Sequence, residues 1–234
     1  MKHRKKILSI ATLSLLASFS SWGQQYVFTY SKLYSQLKPN LLEENNDVKV
    51  AFFFVDHDSG KLCTPVKAWM ENQKHSEQLK ISADKELIVP LDSNLKEANP
   101  LVFVDTPKGK NCDFSTTIMA KQQLSGTVTY SQLQIIVKQM QSVLNELGGM
   151  FSSWFTPDVE GVTLEFADKS PTDIEFSNGL VKPVVNGKVH ILLSDIGTGR
   201  SIIIPEQTIR VLPYIPKYIY KQPKLQAVAL SNMK

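Results

Sequence analysis

The chain has 234 residues, 42% of them hydrophobic and 21% charged, with 11 Gly and 12 Pro. That profile excludes wholesale disorder, collagen and a multispan membrane protein. Its formal charge of +4 is held entirely by Lys2, Arg4, Lys5 and Lys6, so residues 24–234 carry 22 basic and 22 acidic side chains and lack the basic surface that nucleic-acid binding needs.

Residues 1–23 read as an export signal. A basic stretch, Met1 to Lys6, precedes an apolar run from Ile7 to Phe19, and Ser21 and Gly23 meet the small-residue requirement of a cleavage site, leaving Gln24 as the mature start. The run is shorter than the roughly 20 residues that span a bilayer. No Cys follows it, so anchoring through an acylated N-terminal Cys is not expected. The predicted location is the periplasm, with no transmembrane segment in the mature chain.

A short helix is predicted over Tyr30 to Leu37, stopped by Pro39, followed by a strand from Val48 to Asp56 that is apolar on both faces and therefore central. Asp56-His57-Asp58-Ser59 closes that strand and is the densest polar cluster in the chain. It has the types of an acid-base or metal site, and equally those of a turn in which Asp and Ser bond their own backbone. The calcium-loop likeness of Asp56, Asp58 and Gly60 stops at Lys61-Leu62-Cys63, which adds no further oxygen ligands at the required spacing. Neither a metal nor a cofactor is expected.

Two cysteines remain in the exported part, Cys63 and Cys112. An oxidising compartment lets a disulfide persist, and the pair lacks both CxxC spacing and a nearby His, so a structural bridge is favoured over a redox or metal role. Strands are predicted at Glu86 to Leu91 and at Leu101 to Asp105, with Pro107-Lys108-Gly109 turning the chain before Cys112.

The most regular segment is Ser131 to Leu147. Leu133, Ile136, Val137, Met140, Val143, Leu144 and Leu147 fall on one helical face, and Gly148-Gly149 ends it. The opposite face is rich in uncharged amides, which favours packing on a sheet over lying on anionic lipid. Beyond it, Trp154-Phe155 sits between Gly148-Gly149 and Pro157. An aromatic pair on such a loop is the foremost candidate binding contact.

Further strands are predicted at Val162 to Asp168, Lys188 to Leu193 and Ser201 to Ile204, with Asn178-Gly179 and Asn186-Gly187 as hairpin signals. Gly197-Thr198-Gly199-Arg200-Ser201 imitates a phosphate loop, but no helix follows it, so it reads as a hairpin turn. His75 and His190 read as surface positions. Catalytic patterns are missing: there is no Gly-x-Ser-x-Gly, His-Glu-x-x-His or Gly-x-Gly-x-x-Gly.

Thr29-Tyr30-Ser31-Lys32-Leu33 and Thr129-Tyr130-Ser131-Gln132-Leu133 open the two main helices, and each helix leads to a strand ending in Phe-x-Asp. Duplication and convergent helix-start chemistry both account for this. The expected fold is α+β with a mainly antiparallel sheet, one long and one short helix, divided into residues 24–125, 126–219 and a basic tail at 220–234. From Gln207 onward five basic residues, Arg210, Lys217, Lys221, Lys224 and Lys234, face no acid. This end is either an edge strand with an extended tail or a disordered arm. It either docks on an anionic partner or packs back on the acidic body.

Phe28-Thr29-Tyr30-Ser31-Lys32-Leu33-Tyr34, the segment from Pro90-Leu91-Asp92 to Asn99-Pro100-Leu101-Val102, and Val211-Leu212-Pro213-Tyr214-Ile215-Pro216-Lys217 resemble a family of uncharacterised exported proteins of Gram-negative bacteria. The resemblance implies export and a single unit, and brings no catalytic or binding residue with it. The expectation is an exported binding or interaction protein whose partner is an unidentified envelope component or small ligand. The alternatives are a hydrolase-type enzyme using Asp56, His57 and Asp58, and a structural subunit of an envelope complex.

Overall fold

A computed structural model gives the fold and describes residues 23–149, 156–167 and 172–216. Residues 1–22, 150–155, 168–171 and 217–234, which include most of the expected leader and all of the expected basic tail, lie outside the described residues.

The first half begins with β1 (Gln25–Thr29), which runs directly into α1 (Tyr30–Leu37). α1 buries Tyr30, Leu33 and Leu37, the three-and-four spacing of one helical face, and Pro39 in the following 3-10 turn prevents its continuation. β2 (Val48–Asp56) is buried from Val50 to Phe54 and is central. Then come β3 (Leu62–Cys63), β4 (Lys67–Glu71), β5 (Ser76–Gln78), β6 (Lys80–Ile81), β7 (Leu87–Ile88), α2 (Ser93–Ala98), β8 (Leu101–Asp105) and β9 (Cys112–Ala120).

The second half holds β10 (Gly126–Thr129), α3 (Tyr130–Gly148), β11 (Gly161–Glu165), β12 (Asp173–Phe176), β13 (Val181–Pro183), β14 (Lys188–Leu192), α4 (Leu193–Ile196), β15 (Ser201–Ile204) and β16 (Arg210–Tyr214). α3 starts with a reciprocal cap: Gln132 N donates to Thr129 Oγ1 at 3.3 Å and Thr129 N donates to Gln132 Oε1 at 2.8 Å. Its buried face is Leu133, Ile136, Val137, Met140 and Val143.

Among the described residues all strand pairs are antiparallel, so the class is α+β. Four sheets form two similar pairs. One sheet of the first half has the order β1-β8-β4-β5, and its counterpart in the second half has β10-β15-β12-β13. The other two are built around β2, flanked by β9 and by β3 and β7, and around β11, flanked by β16 and β14. The strand-to-helix junctions match as well, since Tyr30 N donates to Pro100 O at 3.0 Å and Tyr130 N donates to Arg200 O at 2.8 Å. One buried cluster runs through both halves.

Several expectations change. The strand expected over Glu86 to Leu91 is only β7, because the chain turns at Pro90 toward α2, which Asp92 caps by accepting from Asn94 N and Leu95 N. The strand expected over Val162 to Asp168 is Gly161–Glu165. The Gly197 to Arg200 turn is tight, with Arg200 N donating to Gly197 O, but it does not join a hairpin: β14 lies beside β11 and β15 beside β10 and β12, so this turn carries the chain between sheets. The helices include α2 and α4, which the periodicity did not announce because both are shorter than two full turns. Asn186 and Gly187 do form the expected two-residue turn, with φ of 53° and 73°.

The seam between the halves as candidate functional site

β9 is bonded to β2 along its whole length, from Val48 opposite Ala120 to Asp56 opposite Cys112. β16 is bonded to β11, from Glu165 opposite Arg210 to Gly161 opposite Tyr214. These two strands lie alongside each other where the halves meet, yet belong to separate sheets with no ladder between them. Pro213 in β16 has no N–H to donate, which suits an edge strand. The result is a seam with a cleft on each face.

On the face away from the helices, Glu165 of β11 stands between Lys188 of β14 and Arg210 of β16. The Glu165 side chain is 4% exposed; Lys188 Nζ lies 2.6 Å from Oε1, and Arg210 Nη2 and Nε lie 2.5 and 2.6 Å from Oε2. A carboxylate buried this deeply requires charge compensation, and here each oxygen has its own cation. The Arg210 guanidinium also crosses the seam, 5.8 Å from the ring centre of Phe53 on β2. Lys49 and Glu86 pair at 2.6 Å on the first-half side. Two cavities of about 320 and 470 Å³ open here and share Asp84, Ile209 and Arg210.

On the helix side the seam is apolar. A groove of about 480 Å³ is lined by Ile118 of β9, Leu144 and Leu147 from the end of α3, and Leu212 and Pro213 of β16, with Thr116, Thr117 and Gln36 adding polar atoms. Thr116 Oγ1 donates to Gln36 Oε1 at 3.1 Å, tying β9 to α1.

The residues singled out from the sequence lie elsewhere. Cys63 and Cys112 form a disulfide that joins β3 to β9 across the end of β2, and both are buried. Asp56 caps the following turn: its Oδ1 accepts from Ser59 N at 2.8 Å and from Ser59 Oγ at 2.5 Å, and these bonds hold its carboxyl below the usual range. His57 turns to a partner the sequence did not suggest, with Nδ1 2.9 Å from Asp113 Oδ2 on β9, both side chains well exposed. That contact, and the charge of Asp113, raise the His57 pKa above its ordinary value of 6.5. Asp58 contributes only its charge to His57. Among the described residues no group of three His, Cys, Asp or Glu side chains is arranged to hold a metal ion. Trp154 and Phe155 lie outside the described residues.

His75 is exposed. His190 is also on the surface, but its Nδ1 lies 2.9 Å from Thr163 Oγ1 and its ring stacks on Tyr214 at 4.4 Å. Burial, with Lys182 and Lys188 nearby, lowers its pKa. Sequence reasoning misses Glu165, Lys188 and Arg210, because Arg210 reads there as part of a basic tail and the three stand on separate strands that no local pattern joins. The available signal was the alternation Arg210-Val211-Leu212, which reads as the edge-strand alternative.

These features define an antiparallel α+β protein of two similar halves with clefts along their junction. The chain belongs to the family described as Protein of unknown function (DUF2987), whose model matches residues 23–166, a span that covers the first half, α3 and β11. Comparison with curated proteins and with solved structures gave no match. Among the described residues no helix is long and apolar enough to cross a membrane.

Proposed function

We propose that this chain is an exported, periplasmic binding protein of the Gram-negative envelope, built from a duplicated unit, that holds its partner in the seam between its halves. The observation that carries this reading is the unladdered junction of β9 and β16, with a cleft on each face lined by residues from both halves. Binding sites favour such junctions, where concave surface forms without disturbing either core. The basic-then-apolar leader and the buried disulfide support export. The repeated strand order and the shared Thr-Tyr-Ser start of α1 and α3 support duplication.

The test is native mass spectrometry of the protein purified, without refolding, from its own periplasmic fraction, beside a Leu212→Asp variant. A chain beginning at Gln24 with a co-purifying mass that the variant loses is the expected result. Absence of the protein from that fraction overturns export, and retention of the leader overturns cleavage before Gln24. A bare chain, or a mass that the variant keeps, overturns the seam as the site.

A further inference from the structure

We infer that the charged side of the seam binds a small oxyanion, phosphate or carboxylate, attached to an apolar body. This rests on the reading of the seam as a binding site and names its ligand class. The cavity of about 470 Å³ brings together Lys61 and Lys85 from the first half and Lys188 and Arg210 from the second, against two carboxylates, Asp84 and Glu165. Glu165 is already shared by Lys188 and Arg210. Lys61 Nζ has no partner among the described residues, and Lys85 Nζ donates only to a backbone carbonyl, that of Leu62 at 3.1 Å. Among the described residues the cavity therefore carries more positive than negative charge.

Its surroundings carry the opposite sign: residues 24–206 include 17 basic and 22 acidic side chains. A cationic recess in an acidic body concentrates anions locally and selects against cations. Lys85 adds a second observation. It has φ of 69°, a conformation that a long side chain rarely adopts and that Gly or Asn would fill more readily. The turn thus holds, at the cavity lining, a lysine in left-handed backbone whose ammonium group bonds the carbonyl of Leu62, another lining residue. The apolar part of the recess is supplied by Leu62, Phe166 and Ile209, which suits the carbon body of an organic anion.

The test follows backbone amides by two-dimensional NMR while the protein is titrated, at constant ionic strength, with hexyl phosphate and separately with hexanol. The variant is Lys61→Gln/Lys85→Asn; Asn keeps the left-handed backbone, so the fold is retained and thermal melting reports on it directly. Hexyl phosphate is expected to shift the amides of Gly60, Gly187 and Ile209 saturably, hexanol to leave them in place, and the variant to bind at least about tenfold more weakly. Equal shifts with hexanol, or equal affinity in the variant, overturn the anion while leaving the seam as a binding site. Hexyl phosphate shifts confined to the apolar groove on the helix side do the same. No shift anywhere along the seam with either probe overturns both.

Discussion

The two halves share a strand order and differ in what closes them. In the first, α1 is 8 residues long, the core is pinned by the Cys63–Cys112 disulfide, and β2 is nine residues long with a nine-residue partner in β9. In the second there is no disulfide among the described residues, the central strand β11 has five residues, and α3 runs for 19. α3 is long enough to pack on β11 and also to reach β2 and β9 of the first half. One half is held by a covalent bridge and the other by a helix that leans on its neighbour. The lesson is that a repeated topology leaves the source of stability free to vary, and that the asymmetry puts different chemistry on the two sides of the seam.

The largest expected effect comes from the bridge. Replacing Cys63 and Cys112 with Ala is expected to cost about 4 kcal/mol, from the chain entropy of a closed loop of this length. Denaturant unfolding should stay a single transition, since one core runs through both halves. Two separate transitions would show instead that the halves are independent units.

Next is the ion cluster. Arg210→Ala leaves the Glu165 carboxylate buried with Lys188 alone, and a loss of about 3 kcal/mol is expected. A double-mutant cycle with Glu165→Gln measures the coupling between the two side chains, and a coupling near zero would mean that this ion pair does not hold β16 to β11.

A smaller contrast sits at matched positions. Thr129 caps α3 with its side chain, whereas Thr29 makes no side-chain cap on α1. Thr129→Ala should therefore lower stability by about 1 kcal/mol and Thr29→Ala by much less. Equal losses would erase this difference between the helix starts.

The smallest effect is in the histidines. NMR titration should find His57 above and His190 below the ordinary value of 6.5. For His57, raised by Asp113, the contribution to stability is present below the unfolded pKa and is lost as pH rises through the folded one. For His190 the sign reverses: stability is full above its unfolded pKa and is lost as pH falls through the lowered folded value. Asp113→Asn should return His57 toward 6.5; an unchanged His57 would detach it from Asp113.

Much of the secondary structure was legible in the residues. Tyr30–Leu37, Val48–Asp56, Leu101–Asp105 and Ser201–Ile204 stand where apolar spacing and turn chemistry placed them. β9 was not foreseen, because Asp113, Ser115, Thr116 and Thr117 dilute its apolar signal, while its partner β2 supplies the burial. The site was less legible still. Asp56 and His57 are adjacent in sequence, but successive residues at a strand end point apart, and each found a different neighbour.

By itself the sequence determined the class, the two main helices, the central strand and the pairing of its two cysteines, because those depend on local periodicity, on turn residues and on there being only two thiols to join. The tertiary structure alone decided the seam. Lys61 and Lys85 line one cavity with Lys188 and Arg210, more than a hundred residues away, only because two sheets end in strands that lie side by side without bonding. Pattern and propensity act over a few neighbouring residues, whereas a cleft is made by which edges are left unpaired once every strand has found its partner.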